Sequence, residues 1–334
     1  MFGLGWLRAL TDARGLLEHA HHGVPRLGEG YTTDDNARAL LYLSLLPEGA
    51  RDEGLVRTYL AFLLHMQKED GRFRNGLTLD GRFEDEGEAE DPTGRAVLAL
   101  AAAQRLPPPY AGPAREALLR ALPALEGFTS LRGRAYALLG LLALPKEPFL
   151  EAAEALGEGL LRAFRAAAPA WPSPGPLPYA NPRPVEALYA YGLAFRRQEA
   201  VALARRALAF LKEHYFTPGE EGLFFDPVGN RFMARGRDKP LFDQQPIEAK
   251  CALLAHLRFG ERVLAEVAFL WFHGRNRLRA PLVDAFGPMD GLTPHGPNQN
   301  RGAEALLAYL LAWQALVQGV FPQVDEGVAL GRVF

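Results

Sequence analysis

Two carboxylates stand side by side in "EGYTTDDNARALLYLSLL", which begins at Glu29: Asp34 and Asp35, followed closely by Arg38. Paired acids suit general acid and base work, in which one group gives a proton while another activates water. The arginine sharpens the question. If a helix starts at about residue 35, Arg38 lies in or near its first turn, where the dipole disfavours an exposed cation by about 0.3–1 kcal/mol. Arg95 in "DPTGRAVLAL" and Arg134 in "LRGRAYALLGL" repeat the arrangement. Such arginines need partners, and carboxylates meeting them across a shared cavity would supply them.

The individual acids can be weighed on helix chemistry. Asp34 and Asp91 read as N-caps as readily as functional groups, and Pro92 after Asp91 suits a first helical position. One Asp suffices as a cap, so Asp35 is the expected general base, its carboxylate kept ionised by the positive helix end. In "LFDQQPIEAK", Pro246 as the first helical residue gives Gln245 the cap position and frees Asp243, the expected general acid. Glu304 and Asp91 are the substitutes in the catalytic set. Glu186 and Glu248 fall at a third helical position behind Pro184 and Pro246, a favourable place for Glu in any helix. They count here, with Asp34, Arg38 and Arg95, as candidate substrate contacts.

Aromatic residues between the helical segments, notably Tyr31, Trp171 and Tyr179, offer flat apolar faces with a polar edge, which suits sugar rings, or they anchor loops. His295 lies in the last long connection, and His19, His21 and His22 cluster in the first. The run "EDEGEAED" (84–91) lacks the regular ligands and loop glycine of an EF-hand and reads as a solvated loop. One cysteine, Cys251, leaves no Cys/His zinc framework and no internal disulfide. No metal and no cofactor is expected.

The elements that must position these groups are helices. Ala/Leu-rich periodic segments recur near 5–20, 35–46, 52–66, 92–104, 112–125, 132–143, 148–166, 184–196, 198–214, 246–258, 261–273 and 302–318. Strand patterns such as "EGLFFDPVGNRFMA" fall only in connections, as small hairpins. Links after the even helices are short, whereas 67–91, 167–183, 215–245 and 274–301 exceed ordinary loop lengths. All long loops should share one face. The even helices also start alike, a charged residue followed by Ala, at intervals of roughly 40–60 residues. Six hairpins with small residues in every second helix predict a closed ring, the even helices inside, over residues 1–334 as one domain.

Composition narrows the function classes. The 334 residues carry a formal net charge of −2 with no basic stripe, against nucleic-acid binding. No secretory h-region and no run of about 18 apolar residues is found, so a cytoplasmic location without membrane contact is expected.

Taken together, "LTDARGLLEHA", "GYTTDDNARAL", "EDPTGRAVLAL", "DQQPIEA" and "NQNRGAEALLAYLLA" resemble the six-hairpin glycosidase-like superfamily, and within it a bacterial branch often encoded beside, or fused to, glycosyltransferases. The resemblance spans nearly the whole chain. It implies an all-α (α/α)6 toroid with a saccharide in its central funnel, adds Gln244 and Asn300 from the motifs as substrate contacts, and implies a functional link to a glycosyltransferase. The superfamily holds inverting glycosidases, lyases and sugar epimerases. An inverting glycoside hydrolase using Asp35 and Asp243 is the leading expectation; a sugar epimerase or isomerase using His295 or His22, and a non-catalytic glycan-binding accessory protein, are the alternatives. "QKEDGRF" resembles an element of toroidal terpene cyclases, but it occurs once and without their D-x-D-D cluster, which leaves that as a minor alternative.

Overall fold

The computed structural model describes residues 3–84, 90–144, 146–167 and 176–319; Trp171 lies outside them. The described residues hold twelve α-helices: α1 (Leu4–Ala9), α2 (Thr33–Leu45), α3 (Glu53–Met66), α4 (Glu90–Ala102), α5 (Pro108–Leu125), α6 (Leu131–Leu141), α7 (Phe149–Ala167), α8 (Pro182–Ala194), α9 (Gln198–Tyr215), α10 (Pro246–Arg258), α11 (Arg262–Leu270) and α12 (Ala303–Gln318). Their burial separates two layers. In α2, α4, α6, α8, α10 and α12 nearly every residue is buried, whereas α3, α5, α7, α9 and α11 bury one face only. Helices that are apolar all round belong inside and amphipathic ones outside.

The inner helices contact one another in the order α2, α4, α6, α8, α10, α12 and back to α2, so the ring closes. All six line a small axial cavity of about 30 Å³, α2 with Ala37, α4 with Leu98, α6 with Tyr136, α8 with Arg183, α10 with Leu254 and α12 with Leu311. Crowding in this layer explains its small residues. A Cβ at Gly94 would stand 2.4 Å from the Gly133 carbonyl oxygen, and one at Gly140 would stand 2.7 Å from Leu98 Cα. The backbones of α4 and α6 therefore touch where no larger side chain fits.

Short links such as Phe195–Arg197 join inner helices to the next outer ones, and the long connections return on the opposite face. Those connections carry two-residue to four-residue strands paired as antiparallel hairpins, and one three-stranded patch made by Tyr31–Thr32, Gly76–Leu77 and Phe83–Glu84.

The first helix departs from expectation. In place of a helix over 5–20, α1 ends at Ala9, because "TDARG" supplies turn chemistry: Asp12 Oδ1 accepts from the Arg14 and Gly15 amides at 2.8 and 3.2 Å. The chain then runs extended across α2. Asn36 holds it, accepting from the Leu16 amide at 2.9 Å and donating to the Leu16 carbonyl at 3.3 Å. The Glu18 amide donates to the Gly30 carbonyl and the Ala303 amide to the Glu18 carbonyl. This brings residues 18 and 19 to the start of α12. Among the described residues no helix is long and apolar enough to cross a membrane.

Candidate functional site

The starts of α2 and α12 and the long-loop face enclose a cavity of about 410 Å³ lined by Glu18, His19, Asp34, Asp35, Arg38 and Glu304, with polar neighbours from the connections. Its geometry begins at Thr32, the N-cap of α2, whose hydroxyl accepts from the Asp35 amide at 3.2 Å and donates to Asp35 Oδ2 at 2.9 Å. Thr32 thus takes the capping role expected of Asp34, and both aspartates stand inside the first turn. Asn75, on the connection after α3, accepts from the Asp34 amide at 3.3 Å and ties that loop to the helix start.

Arg38 organises the acids. Its Nη1 donates to Asp35 Oδ1 at 2.5 Å, and its Nη2 reaches Glu304 Oε2 at 2.8 Å and Asp34 Oδ2 at 3.9 Å. The nearest Asp34 and Glu304 oxygens are therefore no further apart than the sum of the last two distances, so one guanidinium gathers both carboxylates. Arg95 Nε stands 3.2 Å from Asp34 Oδ1, a charge contact without hydrogen-bond alignment, since both atoms lack a hydrogen-bond partner. Its guanidinium carbon also lies 4.3 Å over the Tyr136 ring. Each of these inner-helix arginines thus touches a carboxylate. Arg134 does not: it turns outward and donates to the Gly159 carbonyl of α7 at 3.3 Å.

Burial and like charge set the proton affinities. Burial, with Asp35 and the neighbouring acids adding to it, pushes Glu18 up to about 7, against the pull of His19 at 3.5 Å. Burial also raises Asp35 above its ordinary value in spite of Arg38, whereas the helix end alone is expected to favour the charged form. Asp290 is raised by burial while accepting from the Gly302 amide at 2.5 Å.

The structure brings together Asp34, Asp35, Arg38, Glu304 and Asn300, and sets other expected site residues elsewhere. Asp243 is exposed, in the left-handed region at φ 55, and does not line the cavity; the neighbouring backbone turns it outward. Asp243→Asn is expected to leave turnover within about twofold of the parent, as surface changes away from a site do, and a steady-state assay beside the thermal midpoint checks it. Gln244 is fully buried, donating to Asp226 at 2.8 Å and the Leu241 carbonyl at 2.9 Å while accepting from Trp271 at 2.9 Å. Gln245, one residue on, lines the cavity instead.

Glu186 is buried in the ring wall between Arg183 at 2.6 Å and Arg258 at 3.0 Å; burial opposes its charge, but the two guanidiniums hold it below the usual range. Glu248 accepts from the Ala180 amide and from the Tyr215 hydroxyl at 3.1 Å, and burial pushes it up to about 7. It locks the segment before α8 to α10. Asp91 holds Ser130 at 2.5 Å and Arg132 at 2.7 Å, with the Tyr179 hydroxyl at 3.3 Å and the Tyr179 ring under Arg132. Tyr31 is buried and donates to Asp12 at 2.5 Å, anchoring its loop. His295 is exposed on a hairpin and outside the cavity lining. Sequence reasoning missed Glu18, Asp290, Gln245 and Asn75, and treated His19 only as part of a cluster. Among the described residues no three His, Cys, Asp or Glu side chains converge closely enough to hold a metal ion.

No protein-family profile and no curated protein matches the chain by sequence. Solved structures do match by shape. A D-mannose isomerase superposes with a TM-score of 0.70 at 11% identity, covering 95% of this chain and 95% of that one. A cellobiose 2-epimerase from Spirochaeta thermophila gives 0.64 at 15% identity, over 95% and 92% of the two chains. An α-1,6-mannanase from Salegentibacter gives 0.59 at 13% identity, over 95% and 98%. The chain is an (α/α)6 toroid. At these identities the likeness carries the fold and leaves the chemistry to the site.

Proposed function

We propose that the chain is a glycoside hydrolase acting on a saccharide held in the cavity. The observation that carries this reading is the meeting of Asp34 and Glu304 on one guanidinium, in a cavity that Glu18 also lines. Glu18, with a proton affinity centred near neutrality, donates a proton to the leaving oxygen. Asp34 or Glu304 activates water on the other side, positioned by Arg38. Asp35, nearly closed off from solvent, fixes Arg38 and is a positioning residue. Inversion is the stereochemistry proposed, a carboxylate activating water on the face of the sugar opposite the acid. The matched structures include a D-mannose isomerase, a cellobiose 2-epimerase and an α-1,6-mannanase, which supports a saccharide as the ligand.

A second reading rests on His19. It lines the cavity 3.5 Å from Glu18, and such a pair can move a proton at a sugar carbon as well as at a glycosidic oxygen. One experiment separates the readings. The protein is incubated with a panel of mannose- and glucose-based mono- and oligosaccharides, and products are followed by anion-exchange chromatography and proton NMR. Hydrolysis releases new reducing ends, the inverted anomer appearing first; epimerisation or isomerisation changes the sugar at constant mass. A thermal shift without turnover would overturn both in favour of a glycan-binding protein.

A further inference from the structure

Beneath the carboxylates, the axial cavity is lined by Arg38, Arg95, Tyr136, Arg183 and Lys250, with apolar residues closing the rest. These five are 5%, 3%, 2%, 3% and 3% exposed. Their polar groups are donors, and most have no acceptor. Arg38 Nε, all three Arg95 nitrogens, the Tyr136 hydroxyl and Arg183 Nε lack a hydrogen-bond partner. A buried polar group without a partner is costly, and more so when charged. Several such groups around one cavity point to an acceptor that the ring itself does not provide.

Charge balance makes the same point. Arg38 leans on Asp35 and Glu304, Arg95 on Asp34 and Arg183 on Glu186. Lys250 has no ion pair or hydrogen bond among the described residues, and its charge faces the three arginines. Burial pushes its ammonium down to about 8, with those arginines acting in the same direction. At neutral pH an uncompensated cation thus sits at the hub of the ring. A volume of about 30 Å³ accommodates one or two water-sized occupants and is far too small for a sugar.

We infer that the hub binds a single monovalent inorganic anion of halide size, held by Lys250, Arg95 and the Tyr136 hydroxyl. The site adjoins the saccharide cavity, with which it shares Arg38, but it does not depend on the proposed reaction. Its chemistry is that of a buried counter-ion: it accepts from the unpartnered donors and neutralises Lys250, which pairs with no carboxylate among the described residues.

The test uses the full chain at pH 7 and constant ionic strength. Thermal midpoints are measured while sodium gluconate is replaced by sodium chloride or bromide, and crystals grown in bromide are read at the bromine absorption edge. A saturable rise in midpoint with either halide, and an anomalous peak between Arg95 and Lys250, are expected. Lys250→Met, which removes the buried charge and keeps the side-chain length, is expected to abolish both responses. Equal midpoints in gluconate and halide, or bromide peaks confined to the protein surface as an adventitious ion only, would overturn the site. So would protection by glucuronate without any by chloride, which would assign the donors to an acidic sugar. The bromide measurement on the parent protein decides the matter even if the variant does not fold.

Discussion

Glu18→Gln is expected to lower the turnover of an unactivated glycoside by about 10²–10⁴, the usual contribution of general acid–base catalysis, with little change in thermal midpoint. The direction with pH follows from the raised proton affinity of Glu18, which burial and the facing acids set near 7. An acid catalyst must carry its proton, so kcat/KM of the parent falls as pH rises through about 7. The Gln variant lacks that limb. A glycoside with an activated leaving group needs no proton on its departing oxygen, and for it the variant should lose much less. A Glu18→Gln protein that keeps the parent rate and the parent pH profile would remove Glu18 from the reaction.

The helical ring was legible because its signals are local and redundant. Apolar residues continue around α2, α4 and α12, and only an inner layer buries such a surface. Arg38 and Arg95 drew attention as cations near a helix start; α2 and α4 begin at Thr33 and Glu90, which places each in the second turn, so their burial rather than the helix dipole accounts for the carboxylates they touch. The site residues on the connections were not, for reasons that are equally physical. In an extended segment successive side chains point opposite ways, so nothing in "DQQP" tells which glutamine faces the cavity; Gln245 does and Gln244 fills the wall. Glu18 was hidden because "LTDARGLLEHA" has helical composition, and its turn depends on Asn36 holding Leu16 from another element. Glu248 sits at the third helical position behind Pro246 as expected, whereas α8 begins at Pro182 and makes Glu186 its fifth residue; both serve the wall through partners distant in sequence, Tyr215 and Arg258.

Arg38→Met is expected to destabilise the fold by about 3–5 kcal/mol, the range for removing one partner of a buried ion pair, and to abolish turnover. Arg38 is 5% exposed and Asp35 3%, so the carboxylate left behind stays buried without its cation. Asp34 and Glu304 lose their common anchor in the same step. The dependence on pH identifies the cause. Burial already lifts the native Asp35 carboxyl above its ordinary value, and removing Arg38, which pulls the other way, lifts it further. A carboxyl whose native proton affinity exceeds its unfolded one carries no penalty below the unfolded pKa of about 3.9. The penalty grows as pH rises and is complete above the native value. The gap in thermal midpoint between parent and variant should therefore narrow as pH is lowered toward 4. Adding Asp35→Asn to the variant removes the stranded charge and should recover part of the stability at neutral pH, without recovering activity, because Asp34 and Glu304 remain unanchored. A gap that does not change with pH and is not reduced in the double variant would mean that Arg38 stabilises the ring by packing alone.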